Sequence, residues 1–264
     1  MKSCTAIISV NARVVRRFVY GYNFKSLLLI YCIASILLEV LHITSQCIMA
    51  KQSFHFRAAV VGDVEAIAKI WYDVYQISHA HLVPPELLQH RTLETFRQRT
   101  PGDLAKTLVA VTGSSNADSE DSLPEGQVCG FVSTRGTAIL HLFVGLRGCG
   151  VGRQLLQLAE RQIFHDASGS ASSRPDADGS TRCEQVVAHL HVVHGNEAAR
   201  QFYKKCGWVE VGEETYEVEI LAANGGTEHF PVPCLRWEKK VSANEREGQA
   251  EFMRYPELKA IRDS

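Results

Sequence analysis

The stretch that decides the fold is Arg147-Gly148-Cys149-Gly150-Val151-Gly152. It follows an apolar run over residues 138–144 and opens an amphipathic run over residues 150–164. This order predicts a strand, a glycine-rich turn and a helix. Glycines let backbone N–H groups approach an anion closely, and a helix N-terminus adds unpaired donors and a positive dipole end. The stretch therefore predicts a phosphate site, to which Arg147 can add a charge-assisted contact.

Three phosphate-binding patterns can be compared with this turn. A P-loop ends in Gly-Lys-Ser/Thr, whereas Gly152 is followed by Arg153. A dinucleotide fingerprint needs Gly-x-Gly-x-x-Gly and an acidic residue about 20 residues further on. The sixth position from Gly148 is Arg153, and the downstream segment is a Ser- and Gly-rich stretch, so this pattern also fails. The third pattern, Arg/Gln-x-x-Gly-x-Gly, fits Arg147, Gly150 and Gly152.

The third pattern resembles the pyrophosphate loop of the GNAT superfamily of acetyl-CoA-dependent N-acetyltransferases. A second segment, residues 196–208, resembles the superfamily's Asn-x-x-Ala-x-x-Phe-Tyr-x-x-x-Gly-Phe/Trp pattern and follows a strand-like run over residues 185–193. The resemblance spans residues 54–241. It implies an α/β fold with a mixed central sheet flanked by helices. Two neighbouring strands of that sheet would splay apart and leave a slot for the pantetheine arm of the cofactor.

The resemblance also implies roles for individual residues, with acetyl-CoA as the acyl donor. The cofactor-binding candidates are Leu142, Phe143, Val144, Arg147, Gly148, Cys149, Gly150, Val151, Gly152, Arg153 and Asn196. Tyr203 would be catalytic, as a general acid beside the CoA sulfur. Asn196 would cap the next helix and also hydrogen-bond the pantetheine arm. The structural alternative makes Tyr203 a core aromatic residue and Asn196 a helix cap only.

The acceptor amine must lose a proton before it attacks. A lysine-like amine has a pKa of about 10.4, so only about one in a thousand is neutral at pH 7. Many relatives carry Glu six residues before the last Val of the central strand, and this chain has Ala138 there. His141 is the catalytic candidate on the same strand, and simple alternation places it on the opposite face from Ala138. His189 and His191 share a face of the next strand and are further candidates for the base. The alternatives are that these histidines are structural and that the amine is deprotonated through water.

Charge and cysteine usage limit the partners that we expect. The formal net charge is −1, and a general nucleic-acid binder would carry a basic excess, so no nucleic acid is expected. Residues 1–48 carry five basic residues and one acidic residue, or +4, which leaves −5 for residues 49–264. An acidic body suits a cationic amine acceptor. The eight cysteines form no Cys-x-x-Cys pair and no zinc-ligand spacing, so we expect no metal, and a reducing, cytoplasmic compartment.

The first 48 residues differ in character from the rest. Residues 27–38 are apolar apart from Ser35, and the run resumes at residues 40–43. This is short for a spanning helix, which needs about 20 apolar residues. The basic flank before it is typical of a signal anchor or an organellar presequence. Three hypotheses remain for this leader: a membrane anchor through residues 27–43, an organellar targeting segment, and an extension ahead of a true start at Met49.

The remaining chain is predicted to form one catalytic domain over residues 53–241, followed by a polar tail over residues 242–264. Two polar insertions interrupt it, a hairpin loop at 114–127 and a disordered stretch at 166–182. The predicted order is strand, helices, three strands, helix, strand, helix and hairpin.

Two further predictions concern the first helices. Asp63 is a plausible N-cap for the first helix. The connection over residues 78–83, with His79 and His81, is a candidate wall of the acceptor site.

The function predicted from these features is direct transfer of an acetyl group to a primary amine on a small molecule or a peptide. One alternative is a GNAT-fold sensor or scaffold that binds acyl-CoA without catalysis. Ala138 favours it, as does the connection Gly145-Leu146, which is two residues shorter than the usual four between strand and motif. A membrane-tethered acyltransferase is the third possibility, and it depends on residues 27–43.

Overall fold

The computed structural model describes residues 52–114, 124–171, 185–221 and 226–242. The leader over residues 1–48 and the tail beyond residue 242 lie outside the described residues, as do residues 115–123 and 172–182 of the two predicted insertions. Among the residues that the structure describes, no helix is both long enough and apolar enough to span a membrane.

A seven-stranded sheet forms the centre of the described domain. Its strands are β1 (Phe54–Ala58), β2 (Thr107–Thr112), β3 (Val128–Arg135), β4 (Ala138–Val144), β5 (Val186–Val193), β6 (Val209–Leu221) and β7 (Thr227–Val241). The spatial order is β1-β2-β3-β4-β5-β7-β6. Only the β4–β5 pair is parallel, and the other pairs are antiparallel. The predicted mixed α/β sheet is confirmed.

Within the described residues, five α-helices cover the two faces of this sheet. They are α1 (Val64–Ser78), α2 (Pro85–Leu88), α3 (Leu93–Asp103), α4 (Val151–Ala171) and α5 (Glu197–Lys205). On one face, α4 buries Leu155 and Ile163 against the strands. On the other face, α1 and α3 bury Trp71 and Phe96. Because both faces are covered, every side chain of β2 is buried.

Strands β4 and β5 separate soon after they pair. Their register contains only Ala138↔His189 and Ile139↔Leu190, although the strands have seven and eight residues. Beyond Ile139, the edge of β4 that faces β5 has no strand partner in the described part of the chain. The predicted splayed pair is therefore confirmed, and a slot opens between the two strands.

A β-bulge in β4 reverses the side-chain alternation. Ser133 pairs with His141 and Thr134 pairs with Ile139, so Leu140 is the extra residue. Ile139 accordingly packs in the core beneath α4, whereas the His141 ring lies 4.2 Å from the Trp71 ring of α1, between centroids. The prediction that His141 lies on the opposite face from Ala138 is wrong, because the bulge brings both onto the α1 side of the sheet.

Two other predictions about local structure need correction. Asp63 stands before α1, but its carboxylate makes no cap to that helix. Instead it accepts a hydrogen bond from the Val60 N–H at 2.8 Å and pairs with Arg57. Helix α4 runs to Ala171, so residues 166–171 are helical rather than part of a disordered stretch. Extending an existing helix costs little free energy, because the unfavourable step is nucleation. The ion pair between Asp166 and Lys106, at 3.1 Å, adds a contact to this last part of α4.

An ion pair with a buried carboxylate links α4 to β7. Glu160 of α4 is only 4% exposed, and its carboxylate accepts from Lys239 Nζ at 2.7 Å and from Trp208 Nε1 at 2.7 Å. A buried carboxylate is tolerated when it is paired and hydrogen-bonded in this way. Trp208 follows α5 directly, so this contact also helps to position α5 and its Tyr203.

Candidate active site

The slot between β4 and β5 opens into a cavity of about 760 Å³. Its lining includes two groups of residues that differ in character. The first, here the glycine end, comprises the end of β4, the turn before α4, and α5 with its N-cap. The second, here the arginine end, comprises Arg91, Arg99, Asp103, Arg135 and His141, with Glu219 beside them. The volume of the cavity lies within the range of about 300–1,000 Å³ that is typical of ligand pockets.

The turn at the glycine end adopts backbone conformations that glycine favours. Gly148 and Gly150 have φ angles of +81° and +79°, and α4 begins at Val151. A Cβ added at Gly150 would have no neighbour nearer than 3.9 Å, and one at Gly152 would meet the Phe202 ring at 3.6 Å. The space above the turn is therefore open, and backbone N–H groups at the start of α4 can be approached closely there. These residues fit a pyrophosphate.

The structure brings almost all of the predicted cofactor-binding residues to this cavity. The lining contains Leu142, Phe143, Val144, Arg147, Gly148, Gly150, Val151, Gly152, Arg153 and Asn196. Cys149 is not in the lining, and its thiol donates to the Arg147 carbonyl at 3.4 Å. The short connection over residues 145–146 still places the turn against the strand end, since a Cβ at Gly152 would lie 3.6 Å from Val144.

Asn196 caps α5, as predicted. Its Oδ1 accepts a hydrogen bond from the Ala199 N–H at 3.1 Å, and the residue is only 8% exposed. Among the described residues its Nδ2 group donates to no acceptor, and Asn196 lines the cavity. One side chain can therefore cap the helix through its oxygen and serve a ligand through its nitrogen.

Tyr203 lines the same cavity from α5. Its ring lies 6.1 Å from the Trp208 ring and 6.4 Å from the Trp237 ring, between centroids. Within the described parts of the chain, its hydroxyl forms no hydrogen bond. Burial raises the pKa of Tyr203 above its ordinary value, so the hydroxyl keeps its proton at neutral pH. This side chain can therefore act as a hydrogen-bond or proton donor, and it contributes to the core as well.

His141 and Asp103 form an acid–base pair at the arginine end. His141 Nε2 lies 3.7 Å from Asp103 Oδ2, and Arg135 donates to Asp103 Oδ1 at 2.9 Å. Burial lowers the pKa of His141, and the nearby Asp103 carboxylate opposes this shift. The His141 ring, followed by Arg135, lowers the pKa of Asp103 to about 2. A neutral imidazole beside a carboxylate can accept a proton and hold the resulting charge.

The other histidines singled out by the sequence have different positions. His79 lines the cavity, stacks on Tyr75 at 4.9 Å between ring centroids, and its pKa is lowered to about 4, chiefly by burial. His81 does not line the cavity. His189 and His191 both do, and His191 Nε2 lies 2.9 Å from a carboxylate oxygen of Glu214.

Apart from His141, the arginine end is the part of the site that sequence reasoning missed. Helix α3 buries only Phe96 and Thr100 fully and contains Pro101, so its apolar pattern is weak. Arg99 and Asp103 are four residues apart and so share one face of α3. This four-residue spacing could have indicated a shared charged face, but only once residues 93–103 were known to be helical.

Comparisons with known proteins complete the description of the site. No protein-family profile matches the chain. No curated protein matches it in sequence.

Solved structures match it in fold over most of their lengths. Apo-form YjaB from Escherichia coli is 22% identical, with 70% of this chain and 97% of that chain covered and a TM-score of 0.44. The ribosomal-protein-alanine N-acetyltransferase from Brucella melitensis is 19% identical, with coverage of 71% and 99% and a TM-score of 0.43. The PaiA N-acetyltransferase from Thermoplasma acidophilum, in complex with coenzyme A, is 16% identical, with coverage of 72% and 99% and a TM-score of 0.41.

Proposed function

We propose that the domain over residues 53–241 is an N-acetyltransferase that transfers an acetyl group from acetyl-CoA to a primary amine. One observation carries the proposal: the glycine turn, the unpaired edge of β4, Asn196 and Tyr203 all line one cavity. Each of these features has an ordinary structural explanation on its own. Their meeting at a single slot of suitable size is what the resemblance to the GNAT superfamily requires.

The glycine end would hold the acyl donor. The backbone N–H groups of residues 148–152 would face the pyrophosphate, with Arg147 and Arg153 close enough to add charge. The free edge of β4 and the Asn196 amide offer hydrogen bonds to the pantetheine arm. When bound there, acetyl-CoA supplies a thioester, which is an activated acyl group.

His141 and Tyr203 would manage the protons of a direct transfer. His141, neutral because burial lowers its pKa, takes the proton from the incoming ammonium, and Asp103 stabilises the imidazolium that forms. Tyr203, protonated because burial raises its pKa, donates to the sulfur as the thiolate leaves. The second proton that the nitrogen sheds as the amide forms then restores the Tyr203 hydroxyl. His141 thus occupies the role of the missing Glu, from the same face of the sheet as Ala138.

A catalytically inactive acyl-CoA sensor or scaffold is the second candidate, and Ala138 is the observation that favours it. A release assay separates the two. The full chain is given acetyl-CoA and a panel of primary amines, and free CoA is measured. Release that depends on an amine and falls in His141→Gln supports the enzyme. Tight binding of acetyl-CoA without release for any amine supports the sensor, and no binding contradicts both.

A further inference from the structure

Two arginines at the arginine end have no carboxylate partner. Arg91 is only 3% exposed, and its guanidinium donates twice, at 3.2 Å each, to the backbone carbonyl of Glu219. Arg99 is half-buried and lines the cavity, yet among the described residues it forms no hydrogen bond and no ion pair. Its guanidinium carbon lies 5.2 Å from the centre of the Trp71 ring.

The two carboxylates at this end, Asp103 and Glu219, both have Arg135 as a partner. Arg135 donates to Asp103 at 2.9 Å and lies 3.8 Å from Glu219. Three guanidinium groups therefore face two carboxylates. The neighbouring imidazoles of His79 and His141 add no positive charge at neutral pH, because burial lowers the pKa of each. The described residues leave a net positive charge at this end of the cavity.

An uncompensated buried cation is unfavourable, and burial lowers the pKa of Arg99 to about 10. A guanidinium that lies over an aromatic ring can keep its N–H edge free for another partner. That edge has the geometry that binds a carboxylate through two parallel hydrogen bonds. The unpaired charge and the open edge both fit an anion that is supplied by a ligand.

The anion site lies close to the proposed base. Arg99 and Asp103 are one helical turn apart on α3, about 6 Å along the axis at 1.5 Å per residue. Asp103 in turn lies 3.7 Å from His141. A ligand bound here would present an amine to His141 if only a few bonds separate its amine from its anionic group.

We infer that the amine acceptor is a small molecule that carries a carboxylate, as an amino acid does, with the carboxylate bound by Arg99 and Arg91. This inference rests on the proposed function, whose substrate class it names. It departs from the cationic acceptor suggested by the acidic charge of residues 49–264, because the cavity itself is locally cationic.

Matched acceptors test the inference. Several amino acids are compared with their own carboxamides as acceptors for the full chain. The carboxamide has the lower amine pKa, so it would be the better acceptor if no anion site existed. We expect kcat/KM to be at least tenfold higher for each free acid. Carboxamides or polyamines that react as well as the acids would overturn the inference and leave the proposed function standing.

Two variants on α3, at Arg99 and Arg97, provide the matched comparison. Arg99→Gln should reduce the preference for the acid to about twofold or less. Arg97→Gln should leave it unchanged, because Arg97 lies outside the cavity and pairs with Glu65 at 2.7 Å. Arg91→Lys keeps the buried charge and serves as a second variant, in which we expect a partial loss of the preference.

A binding measurement separates this inference from the proposed function. A free amino acid that the wild type acetylates, or each of the panel if none reacts, is titrated into the full chain by calorimetry without acetyl-CoA. Binding that weakens at least tenfold in Arg99→Gln and not in Arg97→Gln supports the anion site even if no transfer is seen. Binding that is equal in both variants, or no binding at all, overturns it whether or not acetyl-CoA is turned over.

Discussion

Removal of one hydroxyl from the cavity tests the chemistry with little effect on the fold. Tyr203→Phe keeps the ring, whose neighbours are Trp208 and Trp237. The hydroxyl forms no hydrogen bond among the described residues, so no folded-state bond is lost. We therefore expect the free energy of unfolding to change by less than about 0.5 kcal/mol, within the range of substitutions that break no contact.

The expected kinetic effect is much larger. Loss of a general acid typically lowers a rate by about 10²–10⁴. A thiolate with a pKa of about 8.5 also leaves fairly well unaided. We expect kcat to fall at least tenfold, which corresponds to about 1.4 kcal/mol. Acetyl-CoA affinity should change little.

Single-turnover kinetics of CoA release, under conditions where chemistry limits the rate, measure this effect. Tyr72→Phe is the matched control, because Tyr72 lies on α1, packs near Phe96 and does not line the cavity. A Tyr203→Phe protein that folds normally and keeps the parental kcat would return Tyr203 to a packing role. It would also leave the leaving thiolate without an assigned proton donor.

Three further predictions concern protons and packing. The pKa of His79 falls from 6.5 to about 4 on folding, so its stabilising contribution is complete above pH 6.5 and is lost as the pH falls towards 4. Urea titrations should show that the free energy of unfolding declines by up to about 3 kcal/mol over this range, and His79→Gln should reduce the decline. The same pH slope in His79→Gln as in the parent would contradict this prediction. Glu160→Gln leaves the partly buried Lys239 without its carboxylate partner and should lower the free energy of unfolding by about 3 kcal/mol. Asp73→Asn, in the exposed pair with Lys69, should cost less than about 1 kcal/mol. His141→Gln should lower kcat/KM at least tenfold and remove the acidic limb of its pH profile; a profile with the parental limb would assign the base elsewhere.

The strand, turn and helix around residues 138–164 could be predicted because each signal there is local. Gly150 has a positive φ, and the apolar spacing of α4 repeats over several turns. The slot was also predictable, but only through the resemblance. The separation of β4 from β5 after two paired residues depends on contacts between distant segments, which local pattern does not contain.

Other features could not be read from local pattern. The bulge at Leu140 inserts one extra residue in β4 opposite β3. The sequence of residue types along β4 does not reveal it. Helix α3 has few apolar residues, so its existence depends on packing against α1. Since Arg99 and Asp103 are on that helix, half of the candidate site became visible only in three dimensions.

The central claim, that the glycine turn holds the pyrophosphate of acetyl-CoA, is tested most directly by one calorimetric comparison. Gly150 and Gly126 have the same φ of +79°, and neither has a neighbour nearer than 3.9 Å to an added Cβ. Gly126 lies in the β2–β3 loop, away from the cavity lining. Asp at either position meets the same backbone strain, of order 1–3 kcal/mol. Only Asp at Gly150 adds negative charge beside the pyrophosphate. The account predicts that acetyl-CoA binds Gly126→Asp as tightly as the parent and binds Gly150→Asp at least tenfold more weakly. Equal affinity for two folded variants would contradict it.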